Sequence, residues 1–404
     1  MIFILAWKNI WRNQLRSIVV ITAITLGVFA GVFLIAFMNG MVDDRINSVI
    51  RTEISHIQVH KPGFENNLEF SMRMEDSDSI LQIINHTKDI EAVSKRIVIS
   101  SMVASSETST GVKITGVIPA DEKRVTNIST KITEGTYFEG SVKNPVIIGL
   151  KLAEKLNVKL KNKIIITIQD VNKNITSGAF RIVGIFETDN DMYEEANIFV
   201  RYDDICRLSG IDRTEAHEIA ILLDKNESTT QVQQEFKKRL PQLEVEAWTE
   251  LSPEAGYLVS AMNQYMYIFI LIILLALCFS IINTMLMVVI ERVRELGMLI
   301  AVGMSRIRVF FMIMLETVYL SLTGGLIGII IGYFICKHLE AAGLDLYFWK
   351  EAFSSVGYSS LIYPVIDFKM LLFTTLMVIL TGMFSSLYPA YKALKLNPAD
   401  STRI

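Results

Sequence analysis

The chain is poor in cysteine. Only Cys206, Cys278 and Cys336 occur in 404 residues. The count is odd and Cys278 lies inside an apolar run, which argues against a disulfide framework. Positive charge is not in surplus either. The 39 Lys and Arg against 42 Asp and Glu leave a net charge of −3, so nothing points to nucleic acid. The chain has no GxxxxGK followed by Ser or Thr, and so no phosphate loop for ATP. GxSxG and HExxH are also missing. Serine and aspartate are plentiful, but no spacing marks a triad. No catalytic residue is assigned, and the chain is not expected to be an enzyme. What the sequence does have is apolar residues. It is 51% hydrophobic and 20% charged, with a mean hydropathy of +0.39. That is too apolar for an ordinary soluble protein and too charged for one lying wholly in a membrane.

Four apolar runs are long enough to cross a bilayer, which takes about 20 residues. They cover roughly 18–38, 265–290, 309–336 and 370–388. The first has a basic flank, but its apolar run is too long for a signal peptide and no small-x-small site closes it. It reads as a retained span. Basic residues near span ends mark the cytoplasmic side. Lys8, Arg12 and Arg16 precede the first run, Arg292, Arg294, Arg306 and Arg308 lie between the second and third, and Lys392, Lys395 and Arg403 follow the fourth. The stretch after the third run has Lys337 and Lys350 against Glu340, Asp345, Glu351 and Asp367. Both termini and the 291–306 segment are thus expected in the cytoplasm. The expected order is an interfacial helix at 1–17, a first span at 18–40, an outside domain at 41–264 and a second span at 265–290. A cytoplasmic helix at 291–306 follows, then a third span at 307–336, an outside loop at 337–368, a fourth span at 369–390 and a tail at 391–404.

The expected fold is α-helical in the membrane, with four transmembrane helices and a large α+β outside domain. ISHIQVH alternates and is rich in β-branched residues, so it reads as a strand. DSDSILQIINHT begins with a capping residue, Asp76 or Ser77, and places Ile80, Ile83 and Ile84 at helical spacing. The strand VSKRIVISS follows. HEIAILL, STTQVQQEFKKRLPQL and EVEAW repeat the strand–helix–strand order near the end. Two β-α-β units of this kind could pack as a ferredoxin-like sandwich. The insert at about 104–212 is β-rich: GVKITGV, NPVIIG, NKIIITIQ, SGAFRIVGIFE and NIFVRY, broken by the helix LKLAEKLNV. It reads as a small barrel or curled sheet. A hairpin is expected near 170–178, where Asn172, Asn174, Ser177 and Gly178 supply turn chemistry.

Candidate site residues are few. His56 and His60 lie four apart on a strand, hence about 13 Å apart, while zinc-bound nitrogens lie about 2 Å from the metal. No metal site is assigned. Gly27 and Gly31 form one GxxxG, and Gly324, Gly328 and Gly332 repeat that spacing in the third run. Such glycines let helix backbones approach, within one bundle or across a dimer. Glu316 inside the third run must be paired, neutral or near water; it reads as a packing residue or as a switch. Phe29, Phe33 and Phe37 form one aromatic stripe, which faces core or lipid or lines a cavity for an acyl chain. Trp7 and Trp11 beside Lys8 and Arg12 mark an interfacial helix.

The stretch ERVRELGMLIAVGMSR, 291–306, is the most informative. Val293, Leu296, Ile300 and Met304 make one apolar face of a short helix. Glu291 and Arg294 can pair, Gly303 can end the helix and Ser305 can cap the next. Such a helix is suited to another protein's groove, or to the membrane surface. This stretch and its continuation to GGLIGIIIG resemble the C-terminal permease domain of the MacB, LolC, LolE and FtsX superfamily of ABC transporters. YPAYKALKLNPAD is similar to the C-terminal motif of that family. WKNIWRNQLRS, FMNGM and GLKLAEKLNVKLKNKI are in the family style, so the resemblance spans essentially the whole chain.

The resemblance implies a dimer of permeases, with a second copy or a paralogue, on two ABC ATPase subunits that hold the ATP and magnesium. No cofactor is expected in this chain. It implies that Glu291, Arg292, Arg294, Glu295, Leu296, Gly297, Ala301 and Gly303 belong to the coupling helix that docks on the ATPase. It makes the outside domain periplasmic and the location the inner membrane. The lack of a fused ATPase sets the chain apart from MacB, and its length, the FMNGM and HIQVHKPG stretches and the LAEKL block look most like LolC and LolE, the lipoprotein-releasing permeases. That implies extraction of a lipoprotein or other amphiphile, with membrane lipid and a periplasmic chaperone or lipoprotein as partners. Phe29, Phe33, Phe37, Met266 and Ile270 are the residues expected at the substrate cavity. QDVNKNITSGAFRIVG departs from the chaperone-gripping hairpin of LolC in being short and free of proline. Lys161-Asn162 stands where relatives often carry Gly-Asp. The alternatives are an FtsX-like regulator of a periplasmic enzyme and a MacB-like efflux permease.

Overall fold

In lipid the backbone satisfies itself only in a helix or a closed barrel, and apolar runs of about 20 residues rich in leucine, isoleucine and phenylalanine suit the helix. The computed structural model describes residues 2–12 and 14–394. Lys395, Pro398 and Arg403 of the expected tail lie outside the described residues. The helices used below are, in chain order, α1 (Ile2–Arg12), α2 (Gln14–Ser48), α3 (Ser77–Asn85), α4 (Thr229–Arg239), α5 (Pro253–Glu291), α6 (Val293–Ala301), α7 (Arg306–Ala342) and α8 (Phe368–Leu394). Contacts divide the chain into two units. One is Met1–Val42, Ser260–Asp345 and Leu361–Ile404; the other is Asp43–Val259 and Leu346–Ser360.

In the first unit, α2, α5, α7 and α8 carry the four stretches long and apolar enough to cross a membrane. The helices outlast the apolar runs. A 35-residue helix such as α2 is about 52 Å long, against a hydrocarbon core of about 30 Å. The core joins Ile24, Val28 and Val32 of α2 to Leu277 and Ile281 of α5, Ile313 and Leu320 of α7, and Val378 of α8. Leu26, Phe279 and Phe334 are exposed, as lipid-facing side chains should be. The glycine repeat of α7 packs within the chain. A Cβ on Gly324 would sit 2.9 Å from the Ile21 carbonyl oxygen of α2, and one on Gly328 2.7 Å from that of Thr25. Thr25 Oγ1 donates to the Gly324 carbonyl at 3.0 Å. Gly27 faces Leu277 of α5, where a Cβ would come within 2.5 Å. These glycines therefore serve the bundle itself.

The expected loop at 337–368 needs correction. α7 continues to Ala342 and stops at Gly343, whose φ of +75° ends the helix. Leu344–Asp345 pairs antiparallel with Leu361–Ile362, and Leu346–Ser360 clusters with the second unit.

The second unit is built on ten strands: β1 (Ile57–His60), β2 (Ile90–Ala104), β3 (Ser109–Val117), β4 (Ile132–Gly135), β5 (Pro145–Gly149), β6 (Lys163–Gln169), β7 (Ile175–Phe186), β8 (Asn197–Arg201), β9 (Glu218–Leu223) and β10 (Glu244–Ala247). At one end the order is β10-β1-β9-β2, with every neighbour antiparallel. α3 joins β1 to β2 and α4 joins β9 to β10. Asp76 caps α3 by accepting from the Ser79 N–H at 3.2 Å. Ile57, Ile84, Ile221, Phe236 and Val245 fill the core between these elements.

The insert closes on itself. β2 pairs with β3, β3 with β8, β8 with β5, β5 with β7, β7 with β6, and β6 returns to β2. Ile97, Ile114, Ile148, Ile166, Phe180 and Ile182 are buried in one cluster of this ring. The expected boundary at 104 falls too late, because 15-residue β2 serves both the terminal sheet and the barrel. The expected turn is shorter than 170–178. Asp170 Oδ1 accepts from the N–H groups of Asn172 and Asn174 at 2.9 and 2.8 Å. Ser177 and Gly178 already belong to β7.

A buried ion triad ties the two parts of this unit. The guanidinium of Arg96 on β2 donates twice to Glu122, at 3.0 and 2.7 Å, and once to Glu218 of β9, at 2.6 Å. None of the three side chains is more than 5% exposed.

Candidate functional site

The 291–306 segment folds as α6 between the ends of α5 and α7. Its stop follows from one glycine. Gly303 has φ +103°, and its N–H donates to the Ile300 carbonyl while that of Met304 donates to Leu299, each at 3.0 Å. This is a Schellman stop, which needs a left-handed residue just past the helix.

The apolar face of α6 does not point outward. Leu296 and Gly297 are buried, and Leu296 joins the core of the membrane unit with Leu299, Ile300 and Met304 against it. Leu296, Ile300 and Met304 thus pack within the bundle while Val293 is half-buried; of the residues expected to couple to the ATPase, Leu296 and Gly297 are buried and Glu291, Arg294, Ala301 and Gly303 are exposed. The bundle takes that face because it is the nearest apolar surface. The outer face carries Arg294, Met298, Ala301 and Val302, with Met298 64% and Val302 86% exposed. Arg294, Met298 and Val302 fall at i, i+4 and i+8, one stripe along the helix. Glu291 is also exposed.

The charged residues of α6 are split between these faces. Arg292, its N-cap residue, donates from Nη1 to both carboxylate oxygens of Glu316 on α7, each at 3.1 Å. Its Nε donates to Glu295 at 3.1 Å. Glu295 also accepts from Arg12 at the end of α1. The network runs from half-exposed Arg12 and Glu295 to Arg292, 11% exposed, and Glu316, 6% exposed. The hydrogen bond from Arg12 holds the Glu295 carboxyl below the usual carboxylate range, and the same bond raises Arg12. Arg12, Arg292 and Glu316, with Asn9, Ser17 and Met285, line a cavity of about 20 Å³, room for about one water. Glu316 is thus paired, and Glu295 is engaged inside the chain rather than free on an outer face.

α1 completes the cradle. Ala6 and Ile10 are buried in the core, while Trp7 and Trp11 stay about half exposed. Trp7 meets Tyr319 of α7 edge-on, with ring centroids 5.6 Å apart. Arg306 Nη1 donates to the Leu394 carbonyl at 3.2 Å, capping the end of α8.

The aromatic stripe is continuous and half-buried. Phe29, Phe33 and Phe37 stack along α2 with centroids 6.1 and 6.2 Å apart. A small apolar cavity of about 30 Å³ lies between α2, α5 and α8, lined by residues including Gly27, Gly31, Ile270, Leu277 and Phe373. Of the five expected cavity residues only Ile270 belongs to its lining. Met266 packs against the core. Gly27 and Gly31, expected as contacts within the bundle or across a dimer, belong to the lining. His56 is not a partner of His60. Its Nδ1 accepts from the Leu223 N–H at 3.1 Å, and burial lowers its pKa to about 4.

The chain thus has four candidate spans, a large domain between the first and second, and a short anchored helix between the second and third. The profile of the FtsX-like permease C-terminal domain matches residues 267–398, and that of the MacB-like periplasmic core domain matches residues 17–239. The chain belongs to this family of ABC transporter permeases, and it is a membrane protein with a domain of the periplasmic-core type. An uncharacterized ABC transporter permease of Methanocaldococcus jannaschii is 24% identical over 409 residues, covering 98% of this chain and 96% of that one. The lipoprotein-releasing system transmembrane protein LolC of Neisseria meningitidis is 21% identical over 423 residues, covering 97% and 95%. The macrolide export ATP-binding/permease protein MacB of Chlorobium luteolum is 34% identical over 125 residues, 31% of this chain and 16% of that protein. Among solved structures, the extracellular domain of the ABC-type transporter YknZ covers 47% of this chain and 98% of its own, with a TM-score of 0.34 at 13% identity.

Proposed function

We propose that this chain is the permease subunit of a transporter whose ATP is bound and hydrolysed by separate ATPase subunits. It pairs with a second permease, a copy or a paralogue, in the inner membrane. The ATPase grips the outer stripe of α6, Arg294, Met298, Ala301 and Val302, and motion passes through Arg292 and Glu316 into α7. The outside domain turns that motion into extraction of a lipoprotein or other amphiphile from the membrane. The carrying observation is the two-sided helix: one side anchored to α1 and α7, the other apolar and exposed. An exposed apolar stripe beside a charge is the composition of an interface core rather than of a free surface. The whole-length similarity to LolC supports the class of cargo. The strand order β10-β1-β9-β2 supports a ferredoxin-like reading of the terminal sheet.

The test is turnover by the purified complex in proteoliposomes. An acylated lipoprotein should raise ATP hydrolysis, and an unacylated version should not. If neither lipoproteins nor lipids copurify or stimulate, the extraction reading is contradicted.

A further inference from the structure

Far from α6 in sequence, the end of β1 carries a second cluster. His60 stands directly opposite Glu244 of β10, and Gln58 opposite Glu246. Opposed residues of an antiparallel pair share a face, as do residues two apart on one strand. His60, Glu244 and Glu246 therefore converge. One ligand atom from each lies within 4.8 Å of the others.

The imidazole is the decisive group. Its side chain is 0% exposed. Nδ1 lies 3.0 Å from the Lys61 carbonyl oxygen, and Nε2 lies 2.9 Å from Glu246 Oε2. Both ring nitrogens thus face acceptor oxygens. A neutral imidazole has one N–H to give. In the tautomer whose Nδ1–H donates to the Lys61 carbonyl, the Nε2 lone pair faces the Glu246 carboxylate, an arrangement that a cation between them stabilises. An Nδ1–H held by a backbone carbonyl with Nε2 left open is how proteins orient a metal-binding histidine.

The carboxylates fit the same reading. Glu244 accepts from the Gly63 N–H at 2.8 Å, which fixes one oxygen. Among the described residues neither Glu244 nor Glu246 has an ion pair with lysine or arginine. Glu218, the neighbour of His60 on β9, is already taken by Arg96. Glu65 is the other carboxylate in electrostatic reach of His60 and Glu246.

We propose that His60, Glu244 and Glu246 form a binding site for a divalent transition-metal ion of the zinc class. The ligands are His60 Nε2 and one oxygen from each glutamate, with water in the fourth position. One imidazole and two carboxylates suit such an ion, and the two negative charges balance it. Around a tetrahedral ion with bonds of about 2.1 Å, ligand atoms lie about 3.4 Å apart. The site reaches that spacing by small side-chain shifts. β1 is the first strand after α2 and β10 the last before α5, so the ion braces the two strands that connect to the first two long helices.

The test is metal binding by the full-length protein in detergent after chelator treatment. Zinc should bind at one equivalent with micromolar or tighter affinity, and cobalt should give visible absorption bands of a low-coordinate site. His60→Gln and Glu246→Gln should each weaken zinc about 100-fold or more, somewhat beyond the loss seen for outer-shell changes. His86→Gln, which alters an exposed histidine bonded to the Gln82 carbonyl, should change nothing. If His60→Gln fails to fold, partly exposed Glu246 supplies the reading. Absence of stoichiometric binding, or binding kept in Glu246→Gln, overturns the site. Absence of binding would also assign the cation between Nε2 and Glu246 as a proton.

Discussion

Two ionic networks among the described residues, one in each unit, are built on opposite plans. Arg96 with Glu122 and Glu218 is buried throughout and has one negative charge in excess. Its bidentate fork leaves little freedom, and every bond joins parts of one domain. Arg12, Glu295, Arg292 and Glu316 balance in charge and grade from half exposed to buried. A cavity of about 20 Å³ sits among them. The first network has the design of a staple, because removing Arg96 strands two carboxylates in the interior. The second can exchange partners at its wet end while its dry end stays anchored.

The comparison breaks most readily at Arg96. Arg96→Met leaves two buried carboxylates facing each other and should cost about 3–5 kcal/mol, read as a lowered midpoint in thermal unfolding of the outside domain. A loss below about 1 kcal/mol would show that water reaches the triad. Glu316→Gln should cost less, about 1–3 kcal/mol, because Arg292 keeps Glu295 and a polar neighbour. Its sharper effect is on coupling: ATP hydrolysis should persist while cargo no longer stimulates it. Glu295→Gln is the smallest change. With both side chains of the outer pair about half exposed, it should cost under about 1 kcal/mol, and the difference should fade in high salt. If Glu295→Gln proves as damaging as Glu316→Gln, the network is not graded.

Much of the outside domain was legible because its strands advertise themselves. IIITI and IVISS alternate or run with β-branched residues, and Asp76 announces α3 by its capping oxygen. The closure of the barrel was not legible. It depends on Met102–Ala104 of β2 meeting Ile165–Thr167 of β6, a pairing set by tertiary geometry. Amphipathic spacing found the apolar face of α6 but not what covers it, since periodicity cannot tell a neighbour in the chain from a neighbour in another subunit. Arg12 was visible only as a basic residue before a span. Its partner lies 283 residues away. The neighbours of His60 were hidden for the same reason. His56 is near in sequence, while Glu244 and Glu246 are near in space.

The central claim is that the exposed stripe of α6 is what the ATPase grips. Val302→Glu tests it most directly, because Val302 is 86% exposed and has no share in the bundle core. The permease carrying it, purified from membranes together with its ATPase, should be inserted and folded but should have lost the ATPase subunit and the hydrolysis it supports. Wild-type copurification and wild-type turnover in that variant would contradict the account.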